Sequence, residues 1–450
     1  MIGQEKMVRD VLAAAVACAM VSMSAASTAA QEPPHDFDPL AIVRPLSEHA
    51  TDTLAQRADD PGEWGFRWDD HPTLHLGRSA RVSFRARVQG DVRGSEAEVG
   101  DAEGFDVSRR RIGIEGGIDD VLDFQVEHEI GAETPWRDVF VNYSKFEAVR
   151  VQAGKFKLPF SLDENTSSGN LDFVYRSRAA TQLAPGRDRG VMVHGRTWQR
   201  RLGYEIGLFN HDGDNARTSN AALVYGGRTV AARALVQPRR GSKSRLRDLQ
   251  VGVALTASAV PEGIAALRGR SALDASFFPA EFWVNGSRRR AGVELRWRPG
   301  PWSVKAEYIR VATERRAQSV DNTDLSDLVA SGWYVSSTYL VTGEHKTEGG
   351  DTPRRPLLRG GYGALEIAAR IERLAFGSAA NSDMAALSPR ADVVRGNADR
   401  AITLGVNWYP IRRVKLQANL VTETIAEPEF GPLPDRARFW SGLLRFQVTI

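Results

Sequence analysis

Sulfur chemistry is nearly absent from this chain of 450 residues, which holds one cysteine and six methionines. The cysteine, Cys18, lies within the first thirty residues. The remainder therefore has no disulfide framework, no thiolate metal site and no thiol redox couple. Long hydrophobic runs are missing too. Beyond the N-terminal segment nothing approaches the roughly 20 apolar residues a spanning helix requires, which excludes a bundle of membrane helices. Charge of one sign is also lacking: 59 Lys and Arg face 56 Asp and Glu, a net +3. That is too little to attract nucleic acid as a whole-molecule effect.

Histidine is sparse, with eight scattered copies and no grouping of Ser, His and acid of the kind a hydrolase needs. The triplet Glu127-His128-Glu129 looks metal-like, but residue 132 is Ala, so the His-Glu-x-x-His pattern is absent. His211-Asp212-Gly213-Asp214 reads as turn chemistry after a strand. Gly360-Gly361-Tyr362-Gly363 precedes a strand rather than a helix and fails the context for a nucleotide loop. No enzyme, metal or cofactor is expected.

The chain does contain an export signal and one repeated phrase. Lys6 and Arg9 precede an apolar stretch at 11–23, and Thr28-Ala29-Ala30 offers a cleavage site before Gln31. Residues 1–30 are thus expected to be removed, and 31–72, rich in proline and acids, to form a periplasmic lead-in. From about residue 73 to the end, segments of about ten residues alternate apolar and polar side chains between turns. Val82, Phe84, Ala86 and Val88 alternate with Arg81, Ser83, Arg85, Arg87 and Gln89. Strand side chains point to opposite faces with period two, so each segment has one apolar face and one charged face.

This pattern predicts an all-β fold: a transmembrane antiparallel β-barrel of about 16 strands over 73–450, with lipid outside and water inside. Strands are expected near 73–91, 106–118, 121–130, 137–146, 149–156, 190–198, 202–209 and 228–236. The second half adds 248–257, 289–297, 302–311, 332–341, 363–374, 401–408, 414–422 and 439–449. With the N-terminus in the periplasm, short connections such as 119–120 and 299–300 fall at one end, and long ones such as 158–189, 210–227 and 258–288 at the other. The connection 342–362 is long yet sits on the short side, so it hides a strand pair or is an extended turn. Trp136, Trp198, Trp297, Trp302, Trp408 and Trp440 lie near strand ends, as interfacial girdles do.

Sorted by parity, the wet faces carry Arg85, Arg87, Arg109, Arg111, Arg150, Arg196, Arg233, Arg290, Arg296 and Arg370, with Glu115, Glu127, Glu129, Glu205, Glu294, Glu307 and Glu372 among the opposing acids. Cations exceed acids modestly. Arginine and lysine ladders select anions because guanidinium forks match oxyanion geometry and the charge concentrates counter-ions.

Several runs then resemble the phosphate-selective porin O/P family: Phe105-Asp106-Val107-Ser108-Arg109-Arg110-Arg111, Gly154-Lys155-Phe156-Lys157-Leu158-Pro159-Phe160, Gly186-Arg187-Asp188-Arg189-Gly190-Val191 and Ser336-Ser337-Thr338-Tyr339-Leu340. The resemblance implies a homotrimeric sixteen-stranded channel of the bacterial outer membrane, surrounded by its lipid, that passes phosphate or related small anions by diffusion. It also implies that the loop at 158–189 folds inward and constricts the pore. Lys157 matches the family's lysine in the Gly-x-Phe-Lys run, and Arg176, Arg178, Arg187 and Arg189 stand on the loop. The chain departs from the pattern by ending in Ile450 rather than Phe or Trp, and its loop is less lysine-rich. Anion is therefore the expected solute class, phosphate one member of it. The alternative is a barrel whose long extracellular loops bind a surface ligand, with no anion selectivity.

Overall fold

In the computed structural model, the described residues are 65–68, 71–77, 79–97, 104–215, 227–265, 267, 269–278, 281–348, 352–379, 390 and 394–450. The export signal and most of the lead-in lie outside them. Sixteen antiparallel strands close into a barrel. They are β1 (Ala80–Ser95), β2 (Gly104–Ile118), β3 (Leu122–Glu129), β4 (Trp136–Tyr143), β5 (Arg150–Lys157), β6 (Arg187–Thr197), β7 (Leu202–Phe209) and β8 (Thr229–Val236). The second half is β9 (Gln250–Ile264), β10 (Trp283–Trp297), β11 (Trp302–Arg315), β12 (Leu325–Leu340), β13 (Ala364–Ser378), β14 (Asn397–Ile411), β15 (Val414–Ile425) and β16 (Arg438–Thr449).

The repeated phrase is what makes the barrel. On β9, Val251, Val253 and Leu255 are 44%, 52% and 60% exposed, while Gln250 and Thr256 on the opposite parity are buried. A face of exposed valine and leucine beside a face of buried polar groups is inside-out for a soluble protein and correct for one in lipid. The short turns hold their geometry locally. Asp119 and Asp120 both take positive φ, 50° and 52°, the primed hairpin geometry that matches the twist of the flanking strands.

The seam closes between the ends of the chain. Val92 lies opposite Leu444 and Val88 opposite Val448. Ile450 then exchanges backbone hydrogen bonds with Ala86 at 2.8 and 2.9 Å, so the final residue completes the ladder without an aromatic ring. Below it the same edge of β1 is taken by a short hairpin, Gly65–Trp68 and Pro72–Leu76. Here the expected first strand at 73–91 is corrected. Gly77 takes φ +67° and the chain reverses, placing Thr73 opposite Ser83, so the barrel starts at Ala80.

Candidate functional site

The interior is shaped by three inward-folded segments. The first is the loop after β5, expected at 158–189 and observed at 158–186. It contains α1 (Leu162–Asn165), a 3-10 turn at Ser168–Asn170 and α2 (Arg178–Leu183). Ser161 and Ser177 cap the two helices by accepting from the N–H groups of Glu164 and Ala180. Its own Leu158, Phe160, Leu162, Leu171, Phe173 and Leu183 are buried.

Polar contacts pin this loop to the far wall. The N–H groups of Leu162 and Asp163 donate to Glu307 at 3.1 and 3.3 Å. Val174 N–H donates to Asn419 at 2.7 Å, and Tyr175 shares a 2.7 Å hydrogen bond with Thr403. Arg178 pairs with Asp399, with Glu423 at 2.9 Å and with Glu372 at 3.7 Å. Arg370 sits 3.2 Å from Glu372 and stacks over Phe173 and Tyr175, its guanidinium 4.5 and 4.3 Å from the ring centres.

The second segment is the long connection between β9 and β10. Phe278 stacks on Phe282 and on Phe376 of β13, and Phe277 meets Phe376 edge-on. Ala272 N–H donates to Glu423 at 2.9 Å. The third is the connection between β12 and β13, whose length disagreed with its place on the short-turn side. No further strand pair occurs among its described residues; it enters the lumen from the short-turn end. Lys346 reaches Asp172 of the constriction loop at 3.0 Å and Glu366 at 2.6 Å, and Glu348 takes Arg296 at 2.8 Å and Arg298 at 3.6 Å.

Where the first and third segments meet, a small cavity opens against β10 and β11. Arg296, Arg298, Lys305 and Lys346 line it with Asp172 and Glu348, besides Thr166, Asn170, Ser303 and Thr347. Lys305 donates to Asp172 at 2.7 Å. Burial works against a charge on Asp172, yet Lys305 and Lys346 hold its carboxyl well below the usual carboxylate range.

The other residues expected from sequence are placed as follows. Arg85 meets Glu115 at 2.5 Å, Arg87 donates to Ser168 at 2.8 Å, and Arg109 to Gln89 at 3.1 Å. Arg111 pairs with Glu127 and Glu129, both at 2.6 Å, and Arg233 with Glu294 at 2.6 Å and Glu205 at 3.5 Å. Arg150 and Arg196 are buried inside the wall. Lys157 and Arg176 converge on Glu164 at 3.5 and 3.6 Å, and Arg187 pairs with Asp138 at 2.8 Å. Most of these cations are thus matched by carboxylates. Arg189 is a correction: both it and Arg187 belong to β6, not to the loop, and the alternation of β6 turns Arg189 outward, exposed.

Sequence reasoning missed Asp212, taken as turn chemistry. It is buried and receives Arg288 at 2.6 Å and both terminal nitrogens of Arg290. Lys346, Glu348 and Asp172 were also missed, because loop residues have no parity to sort them. His128, by contrast, faces outward as its parity requires, edge-on to Trp136 with ring centres 4.9 Å apart.

Residues 82–427 match the family model described as phosphate-selective porin O and P. Porin O of Pseudomonas aeruginosa is 25% identical over 321 residues, 67% of this chain and 71% of that protein. Among solved structures, the outer-membrane protein OmpT of Vibrio cholerae covers 83% of this chain and 99% of its own, with a TM-score of 0.53 and 10% identity. The outer membrane channel DcaP of Acinetobacter baumannii covers 86% and 100%, with a TM-score of 0.51 and 10% identity. At such identity the structures speak for the barrel alone.

Proposed function

Because the chain belongs to the phosphate-selective porin O and P family, and is thereby a porin of the outer membrane, we propose that its lumen passes small anions by diffusion, phosphate or a related oxyanion among them. Assembly as a homotrimer and removal of residues 1–30 on export are part of the same reading.

The observation that carries it is the cavity between the constriction loop and the periplasmic segment. Four cationic side chains line it against two carboxylates, whereas elsewhere along the lumen most arginines pair with carboxylates. An anion arriving there exchanges part of its hydration shell for guanidinium and ammonium donors, and a cation meets a positive barrier. No covalent step is involved. Low local dielectric enlarges both effects relative to open water.

The apolar packing of Phe277, Phe278, Phe282 and Phe376 inside the extracellular half favours a second reading, a barrel whose lumen is blocked while its outer loops bind a ligand. Single-channel recording in a planar bilayer separates the two. Steady conductance with a reversal potential of anionic sign in a salt gradient, and block of chloride current by added phosphate, is the expected result. A silent barrel points to the second reading, and cation preference removes the anion proposal.

A further inference from the structure

The outer face of the barrel carries arginines that the lumen does not explain. On β10 the outward residues are Arg289, Ala291, Val293 and Leu295, with Trp297 of the same parity but buried against the Arg245 carbonyl; on β14 they are Arg400, Ile402, Leu404, Val406 and Trp408. Arg289 and Arg400 each stand eight residues from the tryptophan at the periplasmic end of their strand. Arg310 stands eight residues above Trp302 on β11, and Arg373 eight above Leu365 on β13. Arg438 opens β16 at the same end, pointing outward with Trp440.

Eight residues of strand rise roughly 26 Å along the chain, and at the usual tilt roughly 20 Å of height. That spans most of the apolar band of such barrels, about 25 Å tall. The guanidinium groups of Arg289, Arg310, Arg373 and Arg400 therefore share one level, the long-loop edge of the lipid-facing band, and Arg438 opens its strand at the same edge.

Their neighbours favour an anion. Arg373 lies directly opposite Arg400 in the ladder, and like charges so placed repel. Arg400 is opposite Thr424, which is opposite Arg438, while Arg310 is opposite Ser331. Among the described residues no carboxylate pairs with Arg310, Arg373, Arg400 or Arg438; Arg289 alone has one, Glu314 at 3.5 Å, and keeps 73% of its side chain exposed. Glu314 already serves Arg316 at 2.8 Å. This contrasts with the interior, where carboxylates pair with most of the arginines.

We propose that this outer arginine belt over β10–β16 docks phosphate groups carried on the acylated glycolipid of the outer leaflet. Acyl chains lie along the valines and leucines below, the sugar-borne phosphates sit at the belt, and two guanidinium forks on adjacent strands grip one phosphate bidentately. The occupant is a lipid headgroup rather than a free anion, because the apolar wall immediately beneath the belt supplies the contact for the acyl chains. The inference rests on the outer-membrane placement and is independent of what the lumen conducts.

The test uses the full barrel purified in detergent and stripped of lipid, with native mass spectrometry reading re-bound lipid A. Wild type is expected to hold bisphosphorylated lipid A, to bind its dephosphorylated form at least tenfold more weakly, and to keep the lipid when millimolar inorganic phosphate is added. R373Q/R400Q should bind at least tenfold more weakly while heat-dependent gel mobility and single-channel conductance stay at wild-type values. Should that double variant fail to fold, R310Q tests the same level of the belt and should weaken retention severalfold. Undiminished binding by a folded variant, equal binding of the two lipids, displacement by inorganic phosphate, or a protein copy held in place of lipid would each overturn the proposal.

Discussion

Arg288, Arg289 and Arg290 are consecutive on β10, yet they live in two worlds. Arg288 and Arg290 are buried and share Asp212, while Arg289 stands outside with 73% of its side chain exposed. One step along a strand moves a guanidinium from an enclosed, carboxylate-lined lumen to the lipid edge. The same side chain is therefore a structural cross-link on one face and a largely exposed surface charge, loosely paired with Glu314, on the other. Counting arginines in this chain says little until each is assigned its face.

The largest effect should come from the inner pair. Asp212→Asn leaves two buried guanidinium groups without their carboxylate, a loss of about 3–5 kcal/mol by analogy with other buried pairs broken on one side. Urea-dependent loss of the heat-modifiable folded band should shift accordingly; an unmoved midpoint would show that water or other acids already neutralise Arg288 and Arg290. A mid-sized effect is expected inside the cavity. Lys346→Glu reverses a charge beside Asp172 and Glu366, and the anion-to-cation permeability ratio should fall about tenfold, equivalent to about 1.4 kcal/mol. Reversal potentials before and after the substitution measure it, and an unchanged ratio would place selectivity elsewhere in the lumen. The smallest effect belongs to the outward neighbour. Arg289→Gln should leave detergent stability within about 0.5 kcal/mol of wild type and conductance unchanged, so a large drop in either would erase the distinction between the faces.

The barrel was legible in the sequence because its cause is local. Period-two alternation assigns Val251, Val253 and Leu255 to one face and Arg290 and Arg296 to the other without knowledge of any partner strand. The same alternation located His128 on the outside. It failed at loops. Arg189 was credited to the constriction, though Gly186 ends the loop with φ +80° and β6 starts at Arg187. Asp212 read as a turn residue because its two partners are 76 and 78 positions away.

The amino-acid order alone determined the number of strands and the two-faced character of each, with bases and acids on the wet side, since both follow from neighbours a few residues apart. Only the closed barrel decided which of those bases are spoken for. Lys346 enters from the short-turn end to meet Asp172, and Arg178 crosses the lumen to Asp399 and Glu423. Contacts over such separations depend on loop paths, where backbone direction follows packing and paired charge rather than a repeating period.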